Sequence, residues 1–241
     1  AQDWLVNINE NSLDEIKAET GRILHASQAA KLMIYGCTGV LTGPPNSGKS
    51  SLLNCLAGWQ KAIVTDIKGT TRDWVEGTCQ IGPLSLTLID TAGLEDGLAA
   101  SQDTIEKVAQ RKTIETLGRA DIILFVLDNS EPVVELDTEF IEIIASRKVI
   151  TILNKSDLPS KLDPTRLSNI FSNTVQISAK NGTGIEDLKQ KILQTSGMIN
   201  VDLWQPICFT RRQENLLEQL SNTQSKQQAA TITKELFEGQ V

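Results

Sequence analysis

The run Gly43-Pro44-Pro45-Asn46-Ser47-Gly48-Lys49-Ser50 fits the pattern G-x-x-x-x-G-K-[ST]. Glycines let a backbone close around an anion and turn its amide groups inward, which makes a cradle for phosphate. Lys49 carries the charge to bridge two successive phosphates of a nucleotide, and the Ser50 hydroxyl suits Mg²⁺. Ser47, Gly48 and Ser51 join the same nucleotide-binding set. Further along, Asp90-Thr91-Ala92-Gly93 ends an apolar run. There Asp90 is placed to reach the magnesium shell and the Gly93 amide to sense a terminal phosphate.

Asn154-Lys155-Ser156-Asp157 follows another apolar run, Val149 to Leu153. A carboxylate such as Asp157 accepts two hydrogen bonds from the ring and exocyclic N–H groups of guanine. Adenine lacks that donor pair and would leave the carboxylate unanswered, which is costly. Ser178-Ala179-Lys180 then offers a backbone amide to the guanine carbonyl oxygen. Between the phosphate loop and Asp90 lies Gly69-Thr70-Thr71-Arg72-Asp73. A threonine here would complete the magnesium shell when GTP is bound; Thr71 is the choice for the metal and Thr70 for the nucleotide, with a polar turn as the plainer alternative. Together these five segments predict a GTP- and GDP-binding site.

Such a site needs strands ending where the chemistry begins. Gly39 to Thr42 reads as a strand and Ser50 to Ala57 as the helix after the loop. Trp74 to Ile81 and Leu84 to Ile89 alternate apolar and polar residues around Gly82-Pro83, a hairpin pattern. Ile122 to Leu127 and Val149 to Leu153 are unbroken apolar runs, as strands buried on both faces require. Val175 to Ser178 reads as the last strand, and 103–118, 136–145, 164–171 and 185–194 as helices. The expected fold is α/β, a Ras-like P-loop GTPase domain with a mostly parallel six-stranded sheet and ligands at the carboxyl ends of its strands. Helical segments flank it: 11–33, with Asn11 or Ser12 as cap, and the pieces 213–220 and 229–237. The expected division is a helical flank over 1–33, a G domain over 34–200 and a second helical flank over 201–241.

Composition narrows the alternatives. His25 is the sole histidine, which rules out a Ser-His-Asp triad, a Cys-His pair or a multi-histidine metal site within this sequence. The four cysteines, at 37, 55, 79 and 208, have no metal-ligand spacing and read as free thiols in a reducing cytoplasm. A net charge of −7 argues against non-specific nucleic-acid binding, so any RNA contact must be local. The longest apolar stretch, Ile122 to Leu127, is too short to cross a bilayer, so no membrane role is expected.

In the small-GTPase template a glutamine orients the attacking water, but the residue after Asp90-Thr91-Ala92-Gly93 is Leu94, which cannot. The set Gly-x-Pro-Asn-x-Gly-Lys-Ser, Gly-Thr-Thr-Arg-Asp, Asp-Thr-Ala-Gly-Leu and Asn-Lys-x-Asp resembles the bacterial GTPase group of Era, Der and MnmE. Ala62 to Ile67 leading into Gly69-Thr70-Thr71 is similar to the MnmE family in particular. Its flanks agree, because that family inserts the GTPase domain within a helical domain.

The resemblance implies G domains that pair face to face as a homodimer, with K⁺ where other GTPases use an arginine. It makes Asn46 a potassium ligand, although Asn46 could instead brace the loop, and gives catalytic roles to Lys49 and Thr71. Within Ile105-Glu106-Lys107-Val108 it makes Glu106 the group that positions water, the plain alternative being a solvated helix carboxylate. It also implies a cytoplasmic protein acting on the wobble uridine of tRNA with a flavin-containing MnmG-like partner. The family's amino-terminal folate-binding domain and carboxy-terminal Cys-Ile-Gly-Lys motif have no counterpart in this sequence, which ends Glu238-Gly239-Gln240-Val241. Two rival expectations are a ribosome-assembly GTPase in the manner of Era or Der, and a slow-turnover GTP-binding module that controls helical partners.

Overall fold

The computed structural model describes residues 10–58, 75–91, 114–132, 142, 144, 146–162, 173–199, 201, 206–208 and 210–238. The chain forms two compact units, one of residues 35–196 and one that joins 1–34 to 197–241.

The larger unit is built on a six-stranded sheet. Its strands are β1 (Cys37–Thr42), β2 (Val75–Ile81), β3 (Leu84–Asp90), β4 (Ile122–Asp128), β5 (Val149–Asn154) and β6 (Thr174–Gln176). They lie in the order β2-β3-β1-β4-β5-β6, all parallel except β2, which runs antiparallel to β3. The expected six-stranded, mostly parallel sheet is therefore present. The β2–β3 hairpin pairs from Val75 opposite Asp90 to Ile81 opposite Leu84, turning over Gly82-Pro83 as the alternating pattern requires.

Sequence pattern and burial agree strand by strand. In β4 every residue from Ile122 to Leu127 is buried, the signature of a strand covered on both faces. In β3 burial alternates, so Leu84, Leu86, Leu88 and Asp90 share the buried side. That periodicity places a buried carboxylate at the carboxyl end of a strand. One core cluster joins Val40, Ile123, Phe125, Leu127 and Leu153 from the sheet to Leu117 and Ile144.

Helix α2 (Lys49–Gly58) follows β1 and buries Leu52, Leu53 and Leu56, while α3 (Ile185–Ser196) closes the unit. Two neighbours flank β1, β3 on one side and β4 on the other. The loop after β1 thus sits at the switch in strand order where α/β sheets bind ligands. The last strand differs from expectation. β6 stops at Gln176, because Ser178 pairs instead with Thr183 across a tight turn.

The smaller unit contains α1 (Leu13–Tyr35), α4 (Arg211–Asn222) and α5 (Lys226–Glu238). Ser12 caps α1: the Glu15 amide donates to its hydroxyl at 3.3 Å, and the Glu15 carboxylate accepts from the Ser12 amide at 2.7 Å. Thr210 and Gln213 repeat this reciprocal arrangement at the start of α4. Ile16, Ile23, Leu216, Leu217, Leu220, Ala229 and Ile232 form the core, with Leu13, Leu24 and Leu236 against it. Two polar ties join the halves of this unit: the Cys208 amide donates to Ser27 Oγ at 2.8 Å, and Lys31 Nζ to a Glu214 carboxylate oxygen at 2.5 Å.

Among the described residues no helix is long and apolar enough to cross a membrane. The four cysteines are free, three of them buried. Burial pushes the Cys37 thiol up to about 12 and that of Cys79 to about 11, so neither is a ready nucleophile.

Candidate nucleotide site

The phosphate end of the site is made largely of backbone. Gly43 takes φ 136° directly after β1, and a Cβ there would stand 2.1 Å from the Val126 carbonyl oxygen of β4. Only glycine permits both that conformation and that approach. Gly48 takes φ 95°, and a Cβ on it would stand 2.2 Å from Asn154 Nδ2. Between them Asn46 is exposed and adopts φ 60°, a left-handed conformation that asparagine tolerates better than most residues.

Lys49 opens α2 and is buried, with its ammonium donating to the Gly43 and Pro44 carbonyl oxygens at 2.8 and 3.0 Å. Those bonds hold a positive charge inside the loop, at the amino terminus of a helix, where an anion gains most. The neighbouring Ser47 hydroxyl is buried and has no hydrogen-bond partner among the described residues. An unanswered buried hydroxyl in a phosphate cradle is consistent with a polar ligand completing it.

Ser50 and Asp90 meet. The Ser50 hydroxyl donates to Asp90 Oδ2 at 2.7 Å, so two oxygen donors from separate motifs converge beside the loop. Thr91 fixes the second of them: its amide and hydroxyl both donate to the Leu41 carbonyl, at 3.2 and 2.9 Å, fastening the end of β3 to β1. Hydroxyl and carboxylate oxygens are the donor type that Mg²⁺ takes, and it fills its remaining positions from phosphates and water. Ser51, on the next position of α2, is exposed.

The base end is made of side chains. Asn154, at the end of β5, is buried; its Nδ2 donates to the Ser47 carbonyl at 2.9 Å, and its Oδ1 accepts from the Ala179 amide at 3.0 Å. One amide group therefore clamps the phosphate loop to both base-side loops. Asp157 is exposed and accepts from Ser178 Oγ at 2.6 Å. That hydrogen bond, with help from the charges of Lys180 and Lys155, holds the Asp157 carboxyl below the usual carboxylate range. It is thus ionised at neutral pH, as an acceptor of two N–H groups must be. Ser178 is in turn set by its own turn, donating its amide to Thr183 at 2.9 Å and accepting the Asn181 amide on its hydroxyl at 3.2 Å.

The structure thus gathers Asn46, Ser47, Gly48, Lys49, Ser50, Asp90, Asn154, Lys155, Asp157, Ser178, Ala179 and Lys180 at the carboxyl ends of β1, β3 and β5 and on the loop after β6. Thr70, Thr71, Gly93 and Glu106 lie outside the described residues. Two contributors were given no role by the motifs, Thr91 within Asp90–Gly93 and Asp128 outside every one of them. Thr91 is the anchor already described, and Asp128, at the end of β4, pairs with Lys155. The available signal for Asp128 was an acidic residue closing an apolar strand that lies beside the strand of the base-reading segment.

Residues 38–155 match the family model of the 50S ribosome-binding GTPases. The tRNA modification GTPase MnmE of Lachnoclostridium phytofermentans is 38% identical over 213 residues, which are 87% of this chain and 45% of that protein. The MnmE of Staphylococcus epidermidis is 39% identical over 179 residues, 73% of this chain and 38% of that protein. Over most of its own length this chain is therefore similar to the MnmE family. It spans less than half the length of these curated relatives. Among solved structures, Era from Aquifex aeolicus bound to GDP and aluminium fluoride superposes with a TM-score of 0.52 at 28% identity, covering 66% of this chain and 56% of that one. The matched GTPase model, these relatives and the Ras-like sheet together show that this chain carries a P-loop GTPase domain.

Proposed function

We propose that this chain hydrolyses GTP with Mg²⁺ and K⁺ in a homodimer joined through its G domains. In this reading it supports modification of the tRNA wobble uridine in the cytoplasm, beside a flavin-containing MnmG-like partner. The observation that carries the guanine part is the Asn154 clamp. It ties the phosphate cradle at Ser47 to the loop of Ala179, next to an Asp157 carboxylate pre-set by Ser178. The tRNA part is supported by the likeness to tRNA modification GTPases.

The residues divide the work. Loop amides and Lys49 hold the phosphates, and the Lys49 charge bears on the oxygens where negative charge grows as the terminal phosphoryl leaves. Asp157 takes the two guanine N–H groups, and Ala179 and Lys180 border the base. Ser50 and Asp90, with Thr71, would hold Mg²⁺, which when bound neutralises phosphate charge and orients the terminal group. Asn46 offers an amide oxygen to K⁺, a hard-cation donor on an exposed position of the loop. Glu106 is assigned the orientation of the attacking water, since Leu94 has no polar atom for it.

The ribosome-assembly reading draws on the match to the 50S ribosome-binding GTPases and the likeness to Era, and the net charge of −7 weighs against a surface built for RNA. The deciding measurement is GTP turnover together with oligomeric state in K⁺ and in Na⁺. Faster turnover and nucleotide-dependent dimers in K⁺ are expected. Equal rates in both salts from a persistent monomer would overturn the proposal.

A further inference from the structure

Lys155 follows the clamping Asn154 and precedes Asp157 by two positions, on the short segment that joins the phosphate tie to the base acceptor. Its backbone adopts φ 61°, a left-handed conformation unusual for a lysine. The turn is fixed on both sides: the Ser156 amide donates to Ile177 at 3.0 Å and the Leu158 amide to Lys155 itself at 3.0 Å. A four-carbon stem ending in a hydrated ammonium would ordinarily sample many rotamers. Here the ammonium is held. It forms an ion pair with Asp128 Oδ2, and the two side chains retain only 34% and 15% of their exposure.

Asp128 is itself locked. The Ser130 amide and hydroxyl both donate to its Oδ1, at 2.8 and 2.6 Å, which leaves Oδ2 for Lys155. Across the sheet Asp128 stands in register with Asn154, and the Asn129 amide donates to the Asn154 carbonyl at 2.8 Å. The end of β4 and the base loop are therefore one hydrogen-bonded piece. Burial pushes the Asp128 carboxyl up, but hydrogen bonds from Lys155 and Ser130 prevail and hold it below its usual range. An exposed, single-contact pair would count for little. This carboxylate is mostly buried, answered on both oxygens, and attached to the element that reads the base.

The geometry points to Asp128 as a positioning residue for guanine-nucleotide binding, acting through Lys155. It sets the lysine stem as a ready wall of the base pocket, so that binding does not have to order it. The inference rests on the guanine-nucleotide reading above.

A double-mutant cycle tests it, with the Kd of fluorescently labelled GDP as the readout. Asp128→Asn should raise the Kd roughly fivefold to tenfold in the parent protein. In a Lys155→Gln background the same change should shift it by less than about twofold. Ser130→Ala, a milder change in the same chain of contacts, should raise the parent Kd by about twofold to threefold, also only while Lys155 is present. A carboxylate of merely structural importance would weaken binding equally in both backgrounds. That equal effect, or an unchanged Kd in both Asp128→Asn and Ser130→Ala, overturns the inference. A parent protein that binds no GDP would defeat the guanine reading itself, and this inference with it.

Discussion

The two ends of the site solve the same problem with different materials. At the phosphate end, the proposed recognition is built largely from backbone: two glycines in conformations closed to other residues, and a buried lysine held by loop carbonyls. At the base end it is built from side chains: Asn154 as clamp, Asp157 as acceptor, Ser178 behind Asp157 and Asp128 behind Lys155. Backbone recognition takes any nucleotide, because every nucleotide carries phosphate. Side-chain recognition chooses among bases. Damage to the first should be severe and indifferent to the base, whereas damage to the second should be graded and selective.

The largest effect is expected from Gly43→Ala. A methyl group 2.1 Å from the Val126 carbonyl, at φ 136°, must displace the loop or the end of β4. Binding of GDP, inosine and xanthine nucleotides should all fall by about 100-fold or more, since strain of this kind amounts to ~3 kcal/mol. Titration with the three diphosphates checks it, and a loss confined to GDP would blur the distinction between the two ends.

Next comes Asp157→Asn. Guanine affinity should drop roughly 10- to 100-fold while xanthine nucleotide improves, because the amide supplies a donor where xanthine offers an oxygen. An unchanged preference for guanine would remove Asp157 from its assigned place.

A smaller effect than either belongs to Ser178→Ala, with GDP binding weaker by about fivefold at neutral pH. It carries a sharper signature in acid. Ser178 is the first cause of the lowered Asp157 carboxyl, and a depressed carboxylate keeps its function until the pH falls through its lowered value. Without the hydroxyl that value rises toward the ordinary range, so GDP binding should fail at a higher pH than in the parent. Affinity measured from pH 7 downward reads the shift; coincident acid limbs would show that Ser178 does not tune the acceptor.

The same contrast governs what the sequence could disclose. The phosphate loop was legible because backbone geometry restricts residue type: few residues other than glycine accept Gly43's φ or its distance from Val126. The strands were legible for a related reason, since the burial of β4 and the alternation of β3 are written directly in Ile122–Leu127 and Leu84–Asp90. Asn154 and Asp157 were legible as a segment, but the clamp from Asn154 to Ser47 and Ala179 was not, because it joins residues far apart in the chain. Asp128 was the least visible. A carboxylate at a strand's end is ordinary, and only the β4–β5 register shows that it stands opposite the base loop. The same holds for β6, which ends early because Ser178 turns toward Thr183, a choice that apolar patterning does not encode.

The ties in the helical unit carry a consequence for the order of events at the ribosome. Ser27 meets Cys208, and Lys31 meets Glu214, across 181 and 183 positions of sequence, with the whole α/β unit between them. Helix α1 is made before the α/β unit, and its partners α4 and α5 are made after it. Throughout synthesis of residues 35–196 the apolar stripe of Ile16 and Ile23 lacks the helices that cover it in the finished protein. The α/β unit is compact over one continuous stretch of sequence and can fold as it emerges. The helical unit can thus gain its native packing only after the α/β unit has been made, and the α/β unit does not have to wait for it.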